Sequence, residues 1–176
     1  MEIWTGQRIA MVKRQRLHQD EETTKGMRRL DYFEAANERF QQATDALEKK
    51  HFGLALTLVG VAVECVLRAY RPQDAPFNSR HDLMELAGEA DFFPAKDQEL
   101  QEALTAALTE LRLVWRNSHR YKSETKLQTF LKRLRRYPES QTRGPMGALK
   151  VAASSAIDDA KIVIGYGVKR WDSVNG

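Results

Sequence analysis

From residue 31 onward, hydrophobic positions in this 176-residue chain recur at helical spacing in successive segments. From Asp31, the residues Phe33, Ala36, Phe40, Ala43 and Leu47 follow at intervals of three and four, forming one stripe of a helix. Asp31, with Glu34 three residues on, has the pattern of a capping box, so the first helix is expected to begin there. Lys49, Lys50 and His51 complement its negative end. A second helix, over 52–70, is apolar on nearly every side through Val63 and belongs in the middle, covered by the others. It stops before Pro72. The loop RPQDAPFNSR and a short helix, HDLMELAGEA, come next.

A fourth helix is predicted over 96–120. On a helical wheel Leu104, Ala107, Leu111, Val114 and Ser118 fall within about 40° of Leu100, and Leu108 and Trp115 widen that stripe to one side. His119, Arg112 and Arg116 come next around the wheel, so the three are expected to line one edge of the buried face. A short basic helix is predicted over 124–136, with Leu127, Phe130, Leu131 and Leu134 as its apolar side. YPESQTRGP is expected to be a loop. The last helix, over 146–170, repeats Leu149, Ala153, Ala156, Ala160 and Val163, and its alanines permit close packing. Gly165 and Gly167 are expected to weaken its final turns.

No stretch alternates with a strand's period, and no internal repeat is visible. The expectation is one all-α domain over 27–176, an up-and-down helical bundle of four to six helices. Residues 1–26 are polar and aperiodic, with Trp4, Ile9 and Met11 as anchors. They read as an arm that is mobile unless it docks.

Composition adds limits. A hydrophobic fraction of 42% and a charged fraction of 30% are ordinary for a globular chain. One cysteine, Cys65, excludes an internal disulfide framework, suits a reducing compartment and reads as a small buried hydrophobe. The opening residues MEIWTGQRIAMVKRQR lack the apolar core and cleavage site of a secretory signal. The apolar run over 52–63 is shorter than the roughly 20 residues a membrane span takes. A cytoplasmic protein without a membrane partner is therefore expected.

Charge changes the picture most. The net charge is +4, yet residues 112–136 hold nine Lys and Arg against one acid, Glu124. Such asymmetry is the electrostatic footprint of a polyanion partner. A solvated basic helix face is the plainer reading of the same residues.

Several chemistries find no support. Histidines 18, 51, 81 and 119 show no metal-ligand spacing, and neither a phosphate-binding glycine loop nor a GxSxG elbow is present. No metal and no cofactor are expected. The informative segment is LRLVWRNSHRYKSE. A guanidinium cluster holds phosphates, and an imidazole beside it moves protons near neutral pH. Those parts suffice for metal-free RNA cleavage: the imidazole takes the 2′-hydroxyl proton and the arginines stabilise the charged phosphorus. Alternatively, Arg112 and Arg116 pair with acids such as Glu64, and His119 caps the helix end. Trp115 reads as core, Tyr121 as a base-stacking candidate, and His81 as a hydrogen-bonding residue near a helix start.

Three segments, in this order and spacing, resemble the HEPN family of higher eukaryotes and prokaryotes. They are FGLALTLVGVAVECVLRAYRP in the second helix, HDLMEL after the loop and VWRNSHRY at the end of the fourth. The resemblance implies a helical bundle and a homodimer in which two basic helix ends face each other across a two-fold axis. It implies that Glu64 and Arg68, otherwise a simple i,i+4 pair, help orient Arg112 or Arg116. The family's signature is an arginine, often with a polar residue after it, and a histidine four to six residues further on. Arg112 with His119 fits that range; Arg116-Asn117 is the more typical start, with Tyr121 at the histidine position.

For the site, the resemblance implies that Arg112 and Arg116 bind and stabilise a scissile phosphate, that Asn117 orients it, and that His119 acts as base or acid. It also implies that Arg120, Tyr121, Lys122, Lys126, Arg133 and Arg136 hold RNA. Two functions stay open. One is an RNA-binding protein that acts as a metal-independent endoribonuclease of a toxin–antitoxin or defence system. The other is a binding module without catalysis: a nucleotidyltransferase partner, an antitoxin or a nucleotide-binding subunit. A helical scaffold for an acidic protein is the third.

Overall fold

The computed structural model describes residues 28–72 and 79–175; the expectation for residues 1–26 lies outside them. Among the described residues the fold is all-α, with seven helices and no strand. Helix α1, Arg29–Glu48, begins two residues before the expected start. Asp31 sits within its first turn, where its carboxylate accepts the Arg28 backbone N–H at 2.9 Å and pairs with the Arg28 guanidinium. It therefore caps the helix backwards and does not begin it. Ala36, Ala43 and Ala46 are buried, while Phe33, Phe40 and Leu47 pack against the core from its margins.

Helix α2, Phe52–Ala69, is the centre of the molecule, in contact with α1 and with most of the later elements. Taken whole, it is long and apolar enough to cross a membrane, but 67% of it is buried inside the protein. That is the burial of a core helix. Its first turn receives a cap from far along the chain, because Glu124 Oε1 accepts the Gly53 N–H at 2.9 Å.

Helix α3, Leu83–Glu89, starts at Asp82, whose Oδ1 accepts the N–H groups of Met84 and Glu85. Helix α4, Gln98–Val114, is capped by Asp97. It ends six residues earlier than its apolar period predicts. Trp115 and Arg116 are extended, and they lead into a 3-10 turn, Asn117–Tyr121. The cause is local packing. The extended backbone lays the Trp115 indole on α2, where a side chain at Gly60 would start 2.2 Å from the ring. Burying an indole removes about 150–250 Å² from water, several kcal/mol, whereas one further helical hydrogen bond contributes about 1 kcal/mol. Packing wins over periodicity.

Helix α5, Glu124–Arg133, carries the basic segment, and α6, Glu139–Thr142, is a single turn where a loop was expected. Helix α7, Gly147–Asn175, packs on α1, α2, α4, α5 and α6. The expected weakening at its glycines is not what the structure has, since α7 runs through Gly165 and Gly167 to Asn175. Gly167 instead lets α7 approach α2. A Cβ there would lie 2.5 Å from Val66, and the Tyr70 hydroxyl donates to the Gly167 carbonyl.

Candidate functional site

The break after Val114 separates residues that a helical wheel groups together. Arg112, Arg116 and Asn117 line a cleft of about 310 Å³ with His81, Asp82 and Trp115. His119 is not among its walls. Arg112 is exposed on the last turn of α4, its Nε 3.0 Å from Asp82 Oδ2, so its partner is Asp82 and not Glu64. Arg116, on extended backbone, has its guanidinium carbon 5.5 Å from the centre of the Phe130 ring. The side-chain oxygen of Asn117 is buried without a hydrogen-bond partner.

Behind the cleft lies a buried carboxylate. Glu64 Oε1 accepts from Arg68 Nε at 2.8 Å, and Glu64 Oε2 lies 2.8 Å from His81 Nδ1. A carboxylate only accepts, so Nδ1 carries the proton and the lone pair of the neutral ring is on Nε2. The His81 side chain is 33% exposed, and among the described residues Nε2 has no protein partner. Glu64 and Arg68 were expected to orient Arg112 or Arg116; Glu64 instead holds His81, and Arg68 pairs with Glu64.

His119 has the opposite surroundings. It lies in the 3-10 turn, 1% exposed, with its ring edge-on to Phe130 at 4.9 Å and no hydrogen-bond partner on either nitrogen. Burial, and then the charges of Lys122 and Arg116, push its pKa down to about 4. The Val114 carbonyl opposes this weakly, without meeting hydrogen-bond geometry. The expectation that His119 shares an edge with Arg112 and Arg116 is thus corrected: a helical wheel has no meaning past Val114.

Of the other basic candidates, Arg120, Lys126 and Arg133 are exposed, and Tyr121 is 82% exposed. Lys122 lies over Phe130, its Nζ 5.4 Å from the ring centre. Arg136 pairs with Glu110 of α4. Arg136 also lines a second cavity, of about 550 Å³, between the end of α5 and α6. Lys132, Arg135 and Arg143 join it there, with Glu139 the one acid in the wall. Sequence reasoning missed those three cations as site residues. The run of charge contained Lys132 and Arg135, but only the turn at α6 brings Arg143 to them. Cys65 is half-buried, and burial pushes its thiol up to about 11, far from a reactive thiolate. Among the described residues no group of three or more His, Cys, Asp or Glu could hold a metal ion.

Comparison with protein-family models, with curated proteins and with solved structures returned no match.

Proposed function

We propose that the protein binds single-stranded RNA and seats one phosphodiester in the cleft at the end of α4. One observation carries the reading: the exposed guanidinium groups of Arg112 and Arg116 share the walls of one cleft with Asn117. Guanidinium groups fit phosphate oxygens through paired hydrogen bonds. The side-chain amide of Asn117, a wall of the same cleft, is the partner for a ribose 2′-hydroxyl, the group that distinguishes RNA from DNA. Tyr121 offers a ring for a base to stack on. The cations around the larger cavity add attraction for further backbone phosphates.

The HEPN resemblance supports the same reading and adds the expectation of a second copy across a two-fold axis. Burial of His119 favours a module that binds over one that cuts with His119. Fluorescence anisotropy with a randomised single-stranded RNA pool at several salt concentrations tests the proposal. Affinity should fall steeply with salt, and Arg116→Gln should lower the log–log slope by about 1. An equal affinity for the matching DNA pool would remove the role of Asn117. Absence of binding at low salt would overturn the proposal.

A further inference from the structure

The pair His81 and Glu64 is an unused piece of chemistry beside this cleft. Imidazole reactivity needs three things: a fixed tautomer, a free nitrogen and a place for substrate beside it. The buried Glu64 carboxylate supplies the first through its 2.8 Å contact to Nδ1. The second is Nε2, which no protein group among the described residues occupies. The third is the cleft itself, of which His81 is a wall together with Arg112, Arg116 and Asn117. His119 meets none of these conditions, having two unpartnered nitrogens in a sealed niche.

We infer that His81, held by Glu64, is the proton-transfer residue of a metal-free RNA transesterification in this cleft. The inference rests on the RNA-binding reading above. Nε2 removes the proton from the ribose 2′-hydroxyl, and the 2′-oxygen forms a bond to phosphorus. Arg112 and Arg116 bear the charge that gathers on the non-bridging oxygens. The bond from phosphorus to the 5′-oxygen then breaks, and the leaving oxygen takes up the proton held by the His81 imidazolium. One proton leaves the 2′-hydroxyl and one arrives on the 5′-oxygen, with no oxidant, reductant or water consumed. The products are a 2′,3′-cyclic phosphate and a 5′-hydroxyl. Glu64 is a positioning residue: it fixes the ring and stabilises the imidazolium, and does not touch RNA.

The full chain, incubated in EDTA with the randomised single-stranded RNA pool, tests this. Fragments ending in 2′,3′-cyclic phosphate are expected, none from a fully 2′-deoxy pool, and wild-type binding is measured in the same buffer by filter retention. His81→Gln keeps a donor toward Glu64 but cannot take a proton, so cleavage should fall at least about 100-fold with an unchanged melting temperature. His81→Asn, shorter by one carbon, is the second variant should His81→Gln fail to fold, and the same loss is expected. RNA retained but uncut by the wild type would overturn the role of His81 and leave the binding reading standing. Cleavage by His81→Gln at the wild-type rate would also overturn it. No retention of RNA would overturn both.

Discussion

The molecule holds two imidazoles in contrasting settings at neighbouring places. His81 is fixed by a buried carboxylate on one nitrogen, has no protein partner on the other among the described residues, and forms part of a cleft wall. His119 is enclosed, edge-on to Phe130, with no partner for either nitrogen and a pKa depressed to about 4. Each has arginine close by in sequence or in space, so residue type alone does not separate them. What separates them is the second partner: a group that orients the ring while leaving one nitrogen to the outside.

The largest expected effect comes from the residue joining the two regions. Trp115 lines the cleft and stands two residues before the turn that carries His119. Trp115→Ala should cost about 3–5 kcal/mol, read as a lowered urea midpoint, and should degrade RNA binding as well. A loss below about 1 kcal/mol would mean that the indole does not hold the turn in place.

Acid sharpens the contrast next. In the folded chain His119 stays neutral down to about pH 4, whereas in the unfolded chain it takes up a proton near 6.5. Between those values the unfolded state binds the extra proton, so stability is full above about 6.5 and falls as pH drops toward 4, by roughly 3 kcal/mol from this group. His119→Leu should flatten that part of the curve. It should also gain about 1 kcal/mol at neutral pH by removing two unpartnered polar atoms. Melting curves from acid to neutral pH would show both, and an unchanged slope in the variant would remove His119 from the account.

Arg116 acts on both sides, as a cleft wall and as a charge beside His119. Arg116→Ala should weaken RNA binding about tenfold, or ~1.4 kcal/mol, and move the His119 titration upward by NMR. If only one of the two readouts moves, Arg116 belongs to one region alone. The smallest effect is expected at Asp82, which caps α3 and neutralises Arg112. Asp82→Ala should cost about 1 kcal/mol of stability while tightening RNA binding, because Arg112 loses its competing partner. A destabilised protein with weaker binding would instead make Asp82 part of the phosphate seat.

Much of the architecture was legible because burial imposes a period. The apolar run of α2, the stripe of α1, and the Leu and Ala repeat of α7 predict their helices to within a few residues. The site was less legible. The 3.6-residue period continues smoothly past Val114, and nothing local in VWRNSHRY marks the break. Gly60, 55 residues upstream, supplies the flat place that draws Trp115 out of the helix. The Glu64 and His81 contact joins residues 17 apart across a loop, so no motif spacing announces it. Arg112, Arg116 and Asn117 were nameable from sequence as candidate site residues, and the structure places all three in one cleft; which histidine stands with them depended on tertiary packing.

Helix α5 is tied down twice: Glu124 bonds to Gly53 of α2, and Gln128 Oε1 accepts the Leu149 N–H of α7 at 2.7 Å. Helix α5, whose end forms part of the wall of the larger cavity, therefore cannot swing without releasing the ends of two core helices. On the proposed RNA-binding reading, a strand that occupied both the cleft and that cavity would be measured against a fixed ruler. Oligonucleotides too short to reach across would gain nothing from the second hold, and affinity plotted against chain length would climb in a step.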